Sequence, residues 1–80
     1  MDQQDYVIYK NYIIWVIAYI LAESGEWGGK VNILRKDGKR IKPFLLEKTF
    51  KTEKDAIRYT LEFGKWIVDG KIHNCHVEDI

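Results

Sequence analysis

The residues best suited to chemistry lie together near the C-terminus, in the run His73-Asn74-Cys75-His76. They include both histidines and the single cysteine of the chain. A thiol becomes a nucleophile when an imidazole within hydrogen-bond reach takes its proton, and both groups are ligands for zinc. The residue types alone therefore allow a catalytic dyad or a metal site.

The spacing of these residues argues against both. Successive side chains of an extended segment point to opposite faces, so His73 and Cys75 share a face that excludes His76. Three potential ligands within four residues, with no second group elsewhere, do not match the spacing of structural zinc sites. We predict a protein that is not an enzyme and uses no metal or cofactor, with Cys75 half-buried in a solvated tail.

A phosphate-binding loop is also absent from the sequence. The stretch GEWGGK, residues 25–30, has glycines and a lysine but lacks the eight-residue P-loop pattern. It is also predicted to join two strands, whereas a P-loop joins a strand to a helix. No small-molecule substrate is expected.

Basic residues are concentrated in the middle of the chain. Residues 30–54 contain nine basic and three acidic side chains, although the whole chain carries a net charge of only +1. A basic β-hairpin can neutralise phosphates and enter a major groove, whereas lysines on an edge strand also deter aggregation. The candidate nucleic-acid contacts are Lys30, Arg35, Lys36, Lys39, Arg40 and Lys42.

Length and composition indicate one small domain over residues 1–80, with a core at about 6–70 and loose ends at 1–5 and 71–80. A single cysteine excludes an internal disulfide and fits a reducing compartment, and the opening MDQQD does not resemble a signal peptide. The longest apolar run, Tyr12 to Ala22, has eleven residues and acidic flanks, which is too short to span a membrane. We expect a cytoplasmic protein with no membrane contact.

The stretch from Tyr6 to Ala22 organises the predicted fold. Tyr12 to Leu21 is rich in β-branched and aromatic residues and is predicted to be a strand. Both of its faces are apolar, whereas a strand with one face in water would alternate, so we expect each face to be covered. Tyr6 to Tyr9 is a possible short strand, and Lys10-Asn11 is a turn or a polar interruption.

Two further strands are predicted, at Lys30 to Lys36 and at about Arg40 to Phe50. The intervening Asp37-Gly38 is typical of a type I′ hairpin turn. Pro43 cannot donate to a strand ladder, so the third strand is expected at an edge or is interrupted there.

A helix is predicted to follow. Thr52 is a suitable N-cap, and Asp69-Gly70 ends the helix after about Val68. A short last strand is possible at Lys71 to Val77. The predicted fold class is α+β: a three-stranded antiparallel meander followed by one C-terminal helix packed on the sheet (β-β-β-α).

The helix carries more apolar surface than one sheet contact requires. One stripe centres on Gly64, where a close approach to the sheet is expected, and a second, aromatic stripe lies beside it. Residues 6–9, Trp27 and the tail could cover this surplus within one chain, or a second copy could cover it between subunits. We favour the homodimer, with interface residues Trp15, Tyr19, Tyr59, Phe63 and Trp66.

The residue order resembles two kinds of known domain. An aromatic strand, a G-x-W turn at Gly25 and Trp27, a hairpin, the pattern Phe50-x-Thr52-x-x-x-Ala56, and then Gly64 and Asp69-Gly70 resemble small uncharacterised bacterial β-β-β-α domains of unknown function. This likeness covers about Tyr12 to Gly70 and implies the fold without an activity.

The same stretch is weakly similar to the plant ethylene-response-factor type of DNA-binding domain. That resemblance implies a three-stranded sheet lying in the major groove, with Trp27, Arg35 and Arg40 as the positions that match its base-reading residues. The first strand departs from the family, because it offers isoleucines where the family presents basic residues.

Two functions follow from the sequence. One is a non-catalytic binding or assembly module that meets itself or another protein through apolar surfaces. The alternative is a nucleic-acid-binding module that acts through the basic hairpin at residues 30–48.

Overall fold

The computed structural model describes residues 5–38, 40–77 and 80. The chain forms a single antiparallel sheet in which each strand pairs with the next, and one helix follows. The predicted meander and C-terminal helix are therefore confirmed, and the sheet has four strands because the segment before Lys10 also pairs. The elements are β1 (Asp5–Tyr9), β2 (Tyr12–Ile20), β3 (Trp27–Arg35), β4 (Ile41–Leu45) and α1 (Glu53–Val68).

The tightest turn of the sheet lies between β1 and β2. Lys10 and Asn11 both have positive φ, at 49° and 69°. A two-residue loop with positive φ at both positions has the sense of a type I′ turn, and its twist matches that of the flanking strands. Of the two interpretations of Lys10-Asn11, the turn is confirmed.

The type I′ turn expected at Asp37-Gly38 is wrong. Neither residue has positive φ in the described chain. Instead the N–H of Gly38 donates to the carbonyl of Arg35 at 2.9 Å, so that Lys36 and Asp37 are the central residues of the turn. The connection between β3 and β4 spans residues 36–40, and a loop of five residues does not require the mirror-image turn of a two-residue loop.

The helix packs on one face of the two inner strands. Ile14, Val16, Val31 and Ile33 are each at most 3 % exposed beneath it. A Cβ added at Gly64 would lie 2.5 Å from Cγ2 of Ile14, so the predicted close approach at this glycine is confirmed.

Both ends of the helix follow the sequence prediction. The hydroxyl of Thr52 accepts a hydrogen bond from the N–H of Asp55 at 3.1 Å, and the helix ends at Val68. Gly70 then adopts φ of 77°, the left-handed conformation expected one residue beyond the cap Asp69.

Pro43 lies on an edge strand, as predicted. This residue of β4 pairs with Asn32 of β3, and β4 has a neighbour on one side only. The strand ends at Leu45; the N–H of Leu46 still donates to the carbonyl of Gly29 in β3 at 3.0 Å, and a bridge between Phe50 and Trp27 follows.

The tail packs on the helix side of the sheet. Val77 is 4 % exposed within the core cluster that contains Ile14 and Ile67. The short strand predicted at residues 71–77 is wrong, since Asn74 has φ of 71° and the N–H of Cys75 donates back to the carbonyl of Ile72. Within the described residues, no helix has the length and apolarity needed to cross a membrane.

Candidate interaction surface: the open face of the sheet

The face of the sheet opposite α1 is the most unusual surface of the molecule. Strand pairing and alternation place ten apolar and two polar side chains on it, and none is acidic. We call this surface the open face. Its apolar members are Tyr6, Ile8, Ile13, Trp15, Ile17, Tyr19, Leu34, Ile41, Pro43 and Leu45, and its polar members are Lys30 and Asn32.

No described segment of the chain covers this face. Tyr6, Ile8 and Leu45 are 61 %, 59 % and 65 % exposed, and Ile41 is half exposed. Of the two ways in which both faces of β2 could be covered, coverage within one chain therefore does not hold for the open face among the described residues. The physical reason is that β1 extends the sheet in its own plane and the tail packs on the helix side.

The open face is ordered in rows that run across the strands. The aliphatic row crosses all four strands, and the central row lies next to it. The lysine row follows, and an outer row beyond it holds Tyr19 and Gly28. The aliphatic row is Ile8, Ile13, Leu34 and Ile41; the central row is Tyr6, Trp15, Asn32 and Pro43; the lysine row is Ile17, Lys30 and Leu45.

Two of the predicted interface residues, Trp15 and Tyr19, lie on this face and are half-buried. The ring of Tyr19 lies directly over Gly28, where an added Cβ would come within 2.6 Å of its Cζ atom. Glycine here lets the aromatic ring lie flat on the neighbouring strand, which compensates for the missing side chain. The sequence prediction missed Ile8, Ile41 and Leu45, the most exposed aliphatic members of the face.

The polar residue Asn32 is unusually enclosed for this surface. It is 8 % exposed, and its side chain makes no hydrogen bond within the described chain. It points away from the helix, because its neighbours Val31 and Ile33 are completely buried on the other side. A carboxamide thus lies among the apolar side chains of this face.

The other three predicted interface residues lie on the opposite side of the sheet. Tyr59 packs between Phe50 and Trp66, with ring centroids 5.3 and 5.7 Å apart, and the ammonium of Lys48 lies 4.6 Å above the Tyr59 ring. Phe63 packs against the core. One contact surface cannot hold all five predicted residues, because the sheet separates Trp15 and Tyr19 from Tyr59, Phe63 and Trp66.

The predicted nucleic-acid contacts do not form one face either. Lys30 lies on the open face, Arg35 and Lys42 lie on the helix side, and Lys36 and Arg40 are exposed in the β3–β4 connection. Lys39 lies outside the described residues.

Two of these basic side chains interact within the chain. Nε of Arg35 donates to Oδ1 of Asp37 at 2.8 Å, which lowers the pKa of Asp37 and raises the pKa of Arg35. The ammonium of Lys42 lies 5.8 Å from the centre of the Phe44 ring. The exposed basic surface is thus the tip of the hairpin and not its flat face.

An ionic cluster joins the β1–β2 hairpin to the end of the helix. Asp69 accepts from Nζ of Lys10 at 2.6 Å and from the hydroxyl of Tyr9 at 2.8 Å. The bond from Lys10, followed by that from Tyr9, lowers the pKa of Asp69, and the same bonds raise the pKa of Lys10 and of Tyr9. A carboxylate at a helix C-terminus is otherwise unfavourable, so the cluster offsets a local repulsion. No sequence signal identifies this pairing, because its members are about 60 residues apart.

Two of the residues suited to chemistry lie at one place, because His73 and Cys75 both line a shallow hollow of about 410 Å³ together with Tyr59 and Phe63. His73 is exposed there and Cys75 is half-buried. Across residues 5–38, 40–77 and 80, no group of three His, Cys, Asp or Glu side chains is placed to hold a metal ion.

Comparison with known proteins gives no further constraint on this surface. No protein-family model, no curated protein and no solved structure matches the chain.

Proposed function

We propose that this protein is a non-catalytic assembly module that forms a homodimer by packing the open face of one copy on the open face of another. The observation that carries the proposal is the composition of that face. Ten apolar side chains and two polar ones lie on it, and no described segment of the chain covers them. Large apolar patches of this kind mark interaction sites on soluble proteins.

The size of the open face suits association. Four strands about 4.8 Å apart and four rows about 6.6 Å apart give a flat footprint of roughly 400 Å². This footprint lies within the range of about 300–600 Å² for the largest apolar patch of a typical monomer, and such patches are often functional. Two such faces together bury about 800 Å² of flat footprint, which is below the roughly 1,200–2,000 Å² of stable complexes and suits a weak, concentration-dependent dimer.

The near absence of charge favours a second copy as the occupant. Lys30 is the one charged side chain of the open face, so an acidic or basic partner would find little to recognise there. Two sheets that pack through apolar faces form a β-sandwich, with mean strand directions within about 30° of each other. We place this association in the cytoplasm, because a free half-buried Cys75 is compatible with a reducing compartment.

The experiment compares two isoleucines with the same exposure on opposite faces. Ile8 lies on the open face and Ile20 on the helix side, and each is 59 % exposed. We expect I8K to sediment as a 9.5 kDa monomer at concentrations where the native chain and I20K sediment at twice that mass. Equal association of I8K and the native chain would exclude the open face as the contact.

Nucleic-acid binding remains the alternative function, and the exposed Lys36 and Arg40 at the hairpin tip favour it. It requires that the protein retard DNA or RNA in a gel, that retardation weaken steeply with salt, and that charge reversal at the tip abolish it. The positions to reverse are Arg35, Lys36, Lys39 and Arg40. Dimerisation that survives this reversal supports the assembly function, since the three described residues among them, Arg35, Lys36 and Arg40, do not lie on the open face.

A further inference from the structure

We propose that the carboxamide of Asn32 pairs with its own counterpart in the second copy, through two reciprocal hydrogen bonds across the twofold axis of the dimer. The inference rests on the proposed self-association through the open face, and it specifies how the two faces are aligned. It assigns to Asn32 the role of fixing the register of an otherwise apolar contact.

The position of Asn32 within the open face is the first argument. Apolar side chains number one in the outer row, two in the lysine row, three in the central row and four in the aliphatic row. The centre of the apolar surface therefore falls on the central row. Counted across the strands, the centre falls between β2 and β3, which is between Trp15 and Asn32.

The symmetry of a homodimer brings a residue at the centre of the contact surface next to its own copy. In a homodimer with an isologous interface, the twofold operation maps the contact surface onto itself, so the centre of that surface lies on the axis. For two sheets packed face to face, the axis lies in the plane between them. Residues along the axis then meet their own copies.

The chemistry of Asn32 is the second argument. Asn32 is 8 % exposed as a whole residue, and its carboxamide, which makes no hydrogen bond within the described residues, is not fully shielded from water in the single chain. A second sheet would remove its remaining water, and an unsatisfied buried polar group costs about 1–3 kcal/mol. A carboxamide has both a donor and an acceptor, so two copies satisfy each other with two N–H···O bonds.

The spacing of packed sheets accommodates this pair. Each carboxamide reaches roughly 3.5 Å from its Cα over three bonds. Two such reaches and one hydrogen bond of about 2.9 Å add up to about 10 Å, which is the usual distance between packed sheets.

The direction of the axis follows from the same residues. An axis parallel to the strands would place Asn32 opposite Trp15 of the second copy, and an indole offers one donor and no acceptor. An axis that runs across the strands, along the central row, gives Asn32 its full reciprocal pair. It also places Lys30 against Leu34 of the second copy, where the lysine stem can pack and its ammonium can reach water.

The test uses opposite charges at position 32. We expect N32D and N32K each to be monomeric at neutral pH, because each would place like charges against each other at the axis. An equimolar mixture of N32D and N32K should form a heterodimer, since aspartate then faces lysine. Sedimentation measures the three samples, and circular dichroism confirms that each variant is folded. If one variant does not fold alone, co-expression of both chains with different tags provides the same comparison.

The matched control is Ile17, one row away on the open face. About 6.6 Å separates adjacent rows, so the two copies of Ile17 are offset by roughly 13 Å along the strands and by a further 10 Å between the sheets. The mixture of I17D and I17K should therefore stay monomeric.

The outcomes separate the two proposals. A heterodimer from the Asn32 pair but not from the Ile17 pair supports the reciprocal carboxamide pair. A native dimer that I8K disrupts, combined with no recovery in the Asn32 mixture, overturns this inference and leaves the assembly function in place. A native chain that is monomeric at all concentrations overturns both.

Discussion

The close contact between α1 and the sheet at Gly64 predicts whether an alanine at this position raises or lowers the free energy of unfolding. Replacing Gly64 by alanine adds a single methyl group to the helix. In an exposed helix position that change stabilises by about 1 kcal/mol, because alanine has less backbone freedom to lose. At Gly64 the new Cβ would lie 2.5 Å from Cγ2 of Ile14 and 3.0 Å from Cγ2 of Val31.

The two effects oppose each other. Forcing an extra carbon into a packed core costs about 1–3 kcal/mol, since side chains and backbone must shift. Both atoms that the methyl group meets belong to fully buried residues of the inner strands, which have little room to move. We therefore expect G64A to lower the free energy of unfolding by about 1 kcal/mol in spite of its better helix propensity.

Glu62 provides the matched control, because it is exposed on the same helix. The difference between E62A and E62G measures the gain from alanine over glycine without a packing contact. All variants are unfolded in urea at one protein concentration, because the stability of a dimer depends on concentration. If G64A proves more stable than the native chain by the E62A–E62G difference, the close packing of α1 on the sheet is refuted.

Three further predictions concern local structure. Asn11 has φ of 69°, so N11V should lower stability by about 1–2 kcal/mol in urea unfolding, whereas N11G should not. Thr52 caps the helix, so T52A should cost about 1 kcal/mol and lower the melting temperature, and an unchanged value would show that the cap is not needed. Asp69 has a lowered pKa, so its contribution is present above the ordinary carboxyl pKa and is lost as pH falls through the lowered value. D69N should therefore be less stable than the native chain at pH 7, and that gap should close in acid; a constant gap would contradict the ionic cluster.

Local patterns predicted the elements that depend on neighbouring residues. The helix begins after Thr52 and ends before Gly70, since a cap hydroxyl and a left-handed glycine act within one turn. Pro43 lies on an edge strand for an equally local reason, the missing N–H. The type I′ turn predicted at Asp37-Gly38 is wrong because the length of the loop selects the turn type, and the sequence does not show where the flanking strands end.

The candidate surface depended on long-range placement and was only partly predictable. The two apolar faces of β2 pointed to Trp15 and Tyr19, which do lie on the open face. They did not reveal that Ile8 of β1 and Ile41 of β4 complete an aliphatic row, because the register of four strands sets that row. The aromatic stripe of the helix, Tyr59, Phe63 and Trp66, is compatible with an interface or with packing inside the chain. In the structure Tyr59 packs on Phe50, and Phe63 packs against the core.

Burial of the open face between two copies is measured most directly by the solvent exposure of isoleucine methyl groups. A neutral paramagnetic chelate in the buffer relaxes methyl signals according to their access to solvent. As the protein concentration rises, the signals of Ile8 and Ile41 should become protected, while Ile20, with the same exposed fraction as Ile8, should stay fully relaxed. Equal relaxation of Ile8 and Ile20 at every concentration would contradict the proposed dimer.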